Sequence, residues 1–488
     1  MNATDALTVP PARAQVVVVG SGAGGAPTAA VLAEAGFDVL VVEEGEWVEQ
    51  GSVVPFSLEQ MDRQYRGGGV TVALGRPSIA YTEGRCAGGG TEINSGLYRR
   101  PPGELLERWG TDHAIDDWDV DELLAIAGEV ETALSVGPLP GPAPAASEVL
   151  HRGADRLGWR SDEIPRWMTY PAGDPASGQR QSMTRTYLPR AAAAGARLLV
   201  GHRAERIERV GDRAVAVHLT GAGRARRVDA EHVVVCGGAI QTPALLQRSG
   251  LRRNVGRALA VHPTVKLAAR FPDAVNAGDD VPVHQVKEFA PDLSFGGSAS
   301  QAGLLALALS DHWSAFRDAL ADPERCAVYY AAITSEGRGR VQAVPGLREP
   351  LVTYRLTRND QQLLRSGLAR LALLMLEAGA TEVFPSFRDA PVVRTRRDLA
   401  TMSERFAITK ASVMTVHLCS TAPLGEAPAC ATDSHGLVHG TTNVWVNDAS
   451  LLPTAPGVNP QATVMAIAVR NARRFVATSG SRRGGDRG

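Results

Sequence analysis

The sequence predicts an α/β protein in which a Rossmann-like, dinucleotide-binding domain is combined with a second domain of different make-up. Three observations predict this. A strand, a glycine-rich turn, a helix, a second strand and an acid follow one another between residues 15 and 45. Another strand, a Gly-Gly turn and a helix occupy residues 232–251. The chain has 488 residues, more than one hydrophobic core ordinarily organises, which implies two domains.

In QVVVVGSGAGGAPTAAVLAEAGFDVLVVEEG, Val16 to Val19 form the β-branched run that a buried parallel strand requires. Gly20, Gly22 and Gly25 spell G-x-G-x-x-G, with Ala23 inside the turn. Such glycines permit a tight turn and a close approach of backbone to a pyrophosphate, which the N–H groups of the following helix then face. A second apolar run, Val39 to Val42, ends at Glu43, 23 residues past Gly20, where an acid can accept hydrogen bonds from a ribose. Pro27 falls near the first turn of the helix, where its missing N–H is tolerated. The motif alone does not distinguish FAD from NAD.

Composition excludes several classes. Hydrophobic content is 44% and net charge −1, so no general field favours nucleic acid or a membrane surface. The most apolar helix, LLRSGLARLALLMLEAGA, carries Arg365, Arg370 and Glu377 and reads as core-packing, not membrane-spanning. Only Lys266, Lys287 and Lys410 are lysines, which reads as coding bias. Five scattered cysteines imply no disulfide framework. The N-terminus lacks a basic region followed by an apolar stretch, so no signal peptide is expected and a cytoplasmic location is.

Three further stretches carry more. GRCAGGGTEINSGLYRRP (84–101) holds three consecutive glycines, Gly88, Gly89 and Gly90, as backbone lying against a flat or bulky group requires. HVVVCGGAIQTPALLQRSGL (232–251) reads as a buried strand, a turn, and a helix with Pro243 in its first turn. NVWVNDASLLPTAPGVNPQATVMAIAVRNARRF (443–475) reads as strand, loop and a long helix from about Pro460. Together these resemble the glucose–methanol–choline (GMC) family of FAD oxidoreductases. The segment from Gly238 to Leu251 matches a family signature almost throughout, departing at Arg252, where glycine is usual, and NVGRALAVHP (254–263) looks like the family segment that follows it. The resemblance covers 15 to about 110, 180–263 and 412–475.

This resemblance implies an FAD-binding Rossmann-like domain interleaved with an α+β substrate-binding domain that contains an antiparallel sheet. The expected FAD-domain segments are 11–109, 181–263 and 412–478; the substrate-domain segments are 110–180 and 264–411; residues 479–488 form a disordered tail. By resemblance, Gly88, Gly89, Gly90, Thr91 and Asn94 line the flavin, while Asp448 and Ala449 meet the phosphates or ribityl chain. Glu44 and Ala204 join the cofactor contacts. The helix with Pro460, Gln461 and Thr463 at its start aims its positive end at the flavin pyrimidine ring, where reduction places negative charge. Non-covalent FAD is expected, because Ile93 stands where family members with covalently bound FAD have a histidine.

His417 matches the family histidine over the flavin N5 edge, and Asn459 the second member of that pair. An alcohol C–H leaves as hydride only if the O–H proton departs too. The expected roles are His417 as general base and Asn459 as the amide that fixes the carbinol. His417 also belongs to MTVHLCSTAPLGEAPACATDSHGLVHG (414–440), which carries His435, His439, Cys419 and Cys430 as well and raises a metal reading. Gly436 and the turn-rich context argue against convergence of four ligands, so no metal is expected. His262, in AVHP, reads as a turn residue, with contact to substrate as the alternative; His202 and His218 read as surface or edge residues of a β-hairpin. His284 and His312 lie in a stretch outside the resemblance and are candidate pocket residues. No nucleophile elbow or P-loop is present.

The expected substrate is a small hydroxylated molecule: an alcohol, sugar, glycoside or amino sugar. The acceptor is oxygen or another oxidant. Trp167, Tyr170, Trp313, Tyr329 and Tyr330 are aromatic candidates for its wall, with ordinary core packing the favoured reading of each. Asp311, Glu336 and Glu404 are candidate partners for an amino group, with solvated surface as the bland alternative. A hydroxynitrile-lyase-like enzyme and a redox-inactive FAD-binding protein are the competing functions.

Overall fold

The structure, a computed structural model, describes residues 6–277, 282–312, 317 and 319–485. Trp313 lies outside the described residues.

The nucleotide-binding sheet begins with β1 (Arg13–Val19), which leads through the glycine turn into α1 (Gly25–Glu34) and back to β2 (Val39–Val42). β3 (Arg197–Leu199) joins the β2 edge in parallel, and β4 (His202–Val210), β5 (Arg213–Gly221) and β6 (Arg224–Val235) form an antiparallel meander ending against β1. β1 and β6 run parallel, Val16 opposite His232 through Val19 opposite Val235. Side chains of β1 alternate between two cores. Val17 and Val19 pack into one, Val16 and Val18 into the other, which explains the unbroken apolar run. Helix α2 (Gly238–Arg248) follows β6 and holds Pro243 in its second turn, not its first. Pro243 frees the carbonyl of Ala239, four residues back, and Thr421 Oγ1 donates to it at 2.7 Å.

The second sheet is mainly antiparallel and nine-stranded. Its centre consists of β7 (Thr264–Arg270), β8 (His284–Val286), β9 (Leu293–Gly297) and β10 (Cys326–Ile333), in spatial order β7-β10-β9-β8. One face packs on α3 (Arg358–Glu377), the helix expected to be core-packing, through residues such as Leu364, Leu368 and Leu371. Thr357 and Asp360 form a capping box at its start, with bonds of 3.0 and 2.7 Å. Three short strands from segments assigned to the FAD domain also pair into this sheet: Thr71–Ala73, Ile79–Tyr81 and β11 (Val413–Thr415). Three residues carry no readable periodicity, so partners far along the chain decide where they pair.

The chain then returns to the first sheet. β12 (Leu418–Cys419) pairs with Ala260–Val261, and β13 (Val444–Val446) runs parallel to the end of β6. Helix α4 (Gln461–Gly485) closes the fold. Residues 479–485 thus continue a helix, where composition suggests a disordered tail; extending a formed helix costs little per residue. Residues 486–488 lie outside the described residues. No described helix is long and apolar enough to cross a membrane.

Candidate active site

One cavity runs from the glycine turn after β1 to the exposed face of the second sheet. At its nucleotide end the wall includes Gly20, Gly22, Ala23, Glu43, Glu44 and Ala204. At its other end stand His417 and Asn459, joined by Gly89, Gly90, Asn94, Asp448, Ala449, Pro460 and Gln461 in between. These expected residues come together. Gly25, Gly88, Thr91 and Thr463, also expected at the cofactor, are not among the residues that line this cavity. A Cβ on Gly25 would lie 1.9 Å from Gly20 O, so this glycine lets α1 press on the turn. Gly88 takes φ +86° and its N–H donates to Ser21 Oγ at 3.0 Å. Thr91 Oγ1 donates to Gly88 O and accepts from Met183 N, inside the loop. Thr463 is buried, its hydroxyl without a hydrogen-bond partner.

The polar groups at the nucleotide end are largely committed. Glu43 accepts from Ser21 N and Oγ (3.1 and 2.7 Å) and from Gly45 N (2.8 Å); burial raises its pKa and these bonds oppose that. Burial also works against ionisation of Glu44, but Arg66 at 2.8 Å, with Arg203 and Arg85, holds it at about 2. Asp448 accepts from Gly238 N (2.7 Å), Thr242 Oγ1 (2.5 Å) and Ser450 N (2.8 Å), and so clamps the β6–α2 turn to the C-terminal segment. Asn94 Nδ2 donates to Gln461 Oε1 at 2.6 Å, tying the triple-glycine loop to the start of α4.

Whether these residues fit a bound FAD is decided by the glycines. A Cβ on Gly22 would meet no chain atom nearer than 3.9 Å, and one on Gly90 none within 4 Å. Packing of the chain therefore does not demand glycine at these two wall positions, whereas a cofactor lying against the backbone does. The starts of α1 and α4 both lie at this wall, as a pyrophosphate and a reduced flavin ring require. The residues fit the group.

At the substrate end, His417 Nδ1 lies 3.0 Å from His262 Nδ1, the rings edge to face. His262 Nε2 accepts the Gly457 N–H at 3.0 Å. A backbone N–H only donates, so the proton of neutral His262 sits on Nδ1 and is donated to His417 Nδ1. The proton of neutral His417 is then on Nε2, the nitrogen free of protein partners. His262, read as a turn residue, is thus the partner that sets the tautomer of His417. Sequence carried a signal for it only in its conspicuous place within AVHP. Burial, with the Lys287 charge second, pushes His417 down to about 4; burial, then His417 and Lys287, lower His262 well below its ordinary value.

These shifts predict an acid-labile fold. Both histidines titrate lower in the folded than in the unfolded chain, near 6.5. As pH falls below about 6.5 the unfolded chain takes up protons the folded one refuses, and stability drops until the folded value near 4 is reached. The melting temperature should fall between pH 6.5 and 4.5, and less steeply in His417→Asn. Identical slopes would remove these rings as the cause.

Sequence missed Lys266, Gln285 and Lys287, which line this end together with Tyr330, one of the aromatic candidates for its wall. Gln285 Nε2 reaches Tyr330 OH (3.2 Å) and Asn459 Oδ1 (3.5 Å). Of the other aromatic candidates, Tyr329 is core, its hydroxyl donating to Ala146 O at 2.9 Å, and neither Trp167 nor Tyr170 lines the cavity. His202, expected at a surface or edge, is buried: its ring lies against Gly221, its partner on β5, and its Nδ1 meets Val200 O. His218 bonds Glu208 at 2.6 Å. His284 bonds Ser147 Oγ away from the cavity, and Asp311, Glu336 and Glu404 do not line it. Cys419 donates to Ala260 O, and among the described residues no three His, Cys, Asp or Glu side chains converge as a metal site.

Comparisons with known proteins agree on one family. Sequence profiles described as GMC oxidoreductase match residues 61–264 and 335–468. The chain is 40% identical over 485 residues to an uncharacterized GMC-type oxidoreductase of Sinorhizobium fredii, covering 96% of each. It is 27% identical to a long-chain-alcohol oxidase of Arabidopsis thaliana, over 93% of this chain and 67% of that protein. Its fold is similar to that of pyridoxine 4-oxidase from Mesorbium loti, with a TM-score of 0.73 at 18% identity over 95% of this chain and 99% of the other.

Proposed function

This chain belongs to the GMC oxidoreductase family of FAD-dependent enzymes acting on CH–OH donors, and from that premise we propose that it oxidises a hydroxyl group of a small hydroxylated molecule to a carbonyl, with His417 and Asn459 at the reacting carbon. The observation that carries this reading is the meeting of these two residues at one end of the cavity whose other end is the glycine turn. FAD supplies the hydride acceptor. Gly22, Gly89 and Gly90 would lie against it, and the start of α4 would face its ring.

The chain's own residues orient the alcohol and handle its proton. Asn459 fixes the substrate oxygen; Gln285, 3.5 Å from Asn459 Oδ1, steadies that amide. His417 presents Nε2 to the same oxygen. The general-base role is refined by the tautomer. As the rings stand, Nε2–H donates, which stabilises negative charge developing on the substrate oxygen. It accepts the alcohol proton only after the Gly457–His262 bond opens and both rings exchange tautomers. Gly457 lies two residues from Asn459, so binding at Asn459 and release of His262 involve one loop.

Anaerobic mixing of the FAD-loaded protein with a panel of alcohols, polyols and sugars tests the reaction class. Flavin absorbance should bleach with at least one hydroxylated compound, and readmitted oxygen should restore it if oxygen is the acceptor. Turnover of a hydroxynitrile with no bleaching by any alcohol would replace oxidation with lyase chemistry.

A further inference from the structure

Two of the chain's three lysines stand in the wall of the cavity. The third, Lys410, pairs with Asp389 at 2.9 Å. Neither Lys266 nor Lys287 has a carboxylate within ion-pair distance among the described residues. The one side-chain partner of Lys266 is Ser298 Oγ, 3.4 Å away. The carboxylates that line the cavity, Glu43, Glu44, Glu83 and Asp448, stand at the nucleotide end and are held there by the partners described above or, for Glu83, by Arg66 at 3.1 Å. An enclosed ammonium without a counter-charge is costly, and lysine is rarely kept in such a place without a partner.

The register shows how the lysines come to face the cavity. On β7, Val265 and Leu267 turn into the core, which leaves Lys266 on the opposite face. Lys266 pairs with Tyr330 on β10, Tyr330 with Gly296 on β9, and Gly296 with Gln285 on β8. Gln285 reaches Asn459. Two strands therefore separate Lys266 from Gln285, roughly 14 Å across the sheet at ordinary strand spacing, while His262, which bonds His417, lies roughly 13 Å of extended chain before Lys266. Between Lys266 and Gln285 stand Tyr330, whose hydroxyl meets Gln285 Nε2 at 3.2 Å, and Gly296, so the row carries a hydroxyl and an amide beside the ammonium.

We propose that Lys266 anchors an anionic group of the substrate, a carboxylate or a phosphate ester, at the end of the cavity remote from the oxidised carbinol. This inference rests on the proposed alcohol oxidation only for the identity of the other end. Burial pushes both lysines down to about 8, and a bound anion restores the charge that burial makes costly. Lys287, whose charge acts on His417, adds to the same field at the reactive end. A cationic amino sugar, one of the substrate classes open to the sequence, would meet two like charges and, among the described residues, no free carboxylate.

The test titrates inorganic phosphate and acetate separately into the FAD-loaded enzyme by calorimetry, in wild type, Lys266→Met and Lys266→Arg. Methionine keeps the volume and removes the charge; arginine keeps the charge. At least one anion should bind saturably to wild type, at least about tenfold more weakly to Lys266→Met, and within about threefold of wild type to Lys266→Arg. The tighter anion separates a phosphate ester from a carboxylate. Absence of saturable binding, or equal affinity in wild type and Lys266→Met, overturns the subsite. A parallel anaerobic arm compares glucose, glucosamine, glucuronate and glucose 6-phosphate as flavin reductants, with the anionic pair expected to have the lower KM. Anion binding lost in Lys266→Met, with no bleaching by any alcohol, keeps the subsite and removes the oxidation reading. Bleaching by glucose with no anion binding does the reverse.

Discussion

His417→Ala should slow anaerobic bleaching of the flavin by alcohol substrate by about 10²- to 10⁴-fold, the range a positioned acid–base group contributes, while FAD stays bound. The two halves of this result have separate causes. His417 stands at the substrate end, and the one side-chain bond its ring makes is to His262. None of the groups that hold the nucleotide end depends on it: Asp448 clamps Gly238 and Thr242, and Asn94 holds Gln461. Removing the imidazole takes away the Nε2 that meets the substrate oxygen and leaves His262 Nδ1–H without its acceptor. Stopped-flow absorbance measures the rate; the flavin spectrum of the purified variant measures retention. An undiminished rate would remove His417 from the chemistry. Loss of FAD would make it part of the cofactor site instead.

Gly22→Ala should yield a folded protein that binds FAD about ten- to a hundredfold more weakly, as one methyl forced into a filled space costs about 1–3 kcal/mol. The added carbon meets no chain atom nearer than 3.9 Å, so the apoprotein tolerates it. Gly25→Ala should behave differently. Its Cβ would lie 1.9 Å from Gly20 O and 3.1 Å from Cys236 Cβ, so the turn and α1 must part and the fold itself is lost. Thermal melting of the apoproteins and fluorescence titration with FAD separate the two effects. Stoichiometric FAD in Gly22→Ala at wild-type affinity would mean that the cofactor does not lie against this backbone.

The glycines show how far sequence reasoning reaches. Gly20, Gly22 and Gly25 form one motif, legible because strand, turn, helix and acid occur in order within 31 residues. The motif does not say which glycine meets a ligand and which meets the chain. That depends on Cys236 and on Asn447, whose carbonyl would lie 2.0 Å from a Cβ on the intervening Gly24; both arrive from more than 200 residues away. The same holds for Thr91 and Thr463, which adjoin wall residues along the chain but are themselves buried. His262 and His417 are 155 residues apart, and no local pattern joins them. The interleaved architecture was legible through three separated stretches. The pairing of Thr71–Ala73, Ile79–Tyr81 and Val413–Thr415 into the second sheet was not.

Sequence by itself determined the nucleotide-binding βαβ unit, which rests on local order: periodicity and a turn that only glycine permits; the family and FAD came from the resemblance of three separated stretches, which also supplied the expectation of a His417–Asn459 pair. Tertiary structure alone decided the tautomer of His417, the division of glycines between chain and cofactor, and the placing of Lys266 and Lys287 in the cavity wall. The lysines read as stray residues of an arginine-rich composition until β7 and the chain leaving β8 bring them to one cavity wall. The reason is physical. Charge and hydrogen-bond direction at a site depend on which groups are absent as well as present, and only the folded chain shows that no carboxylate pairs with them among the described residues.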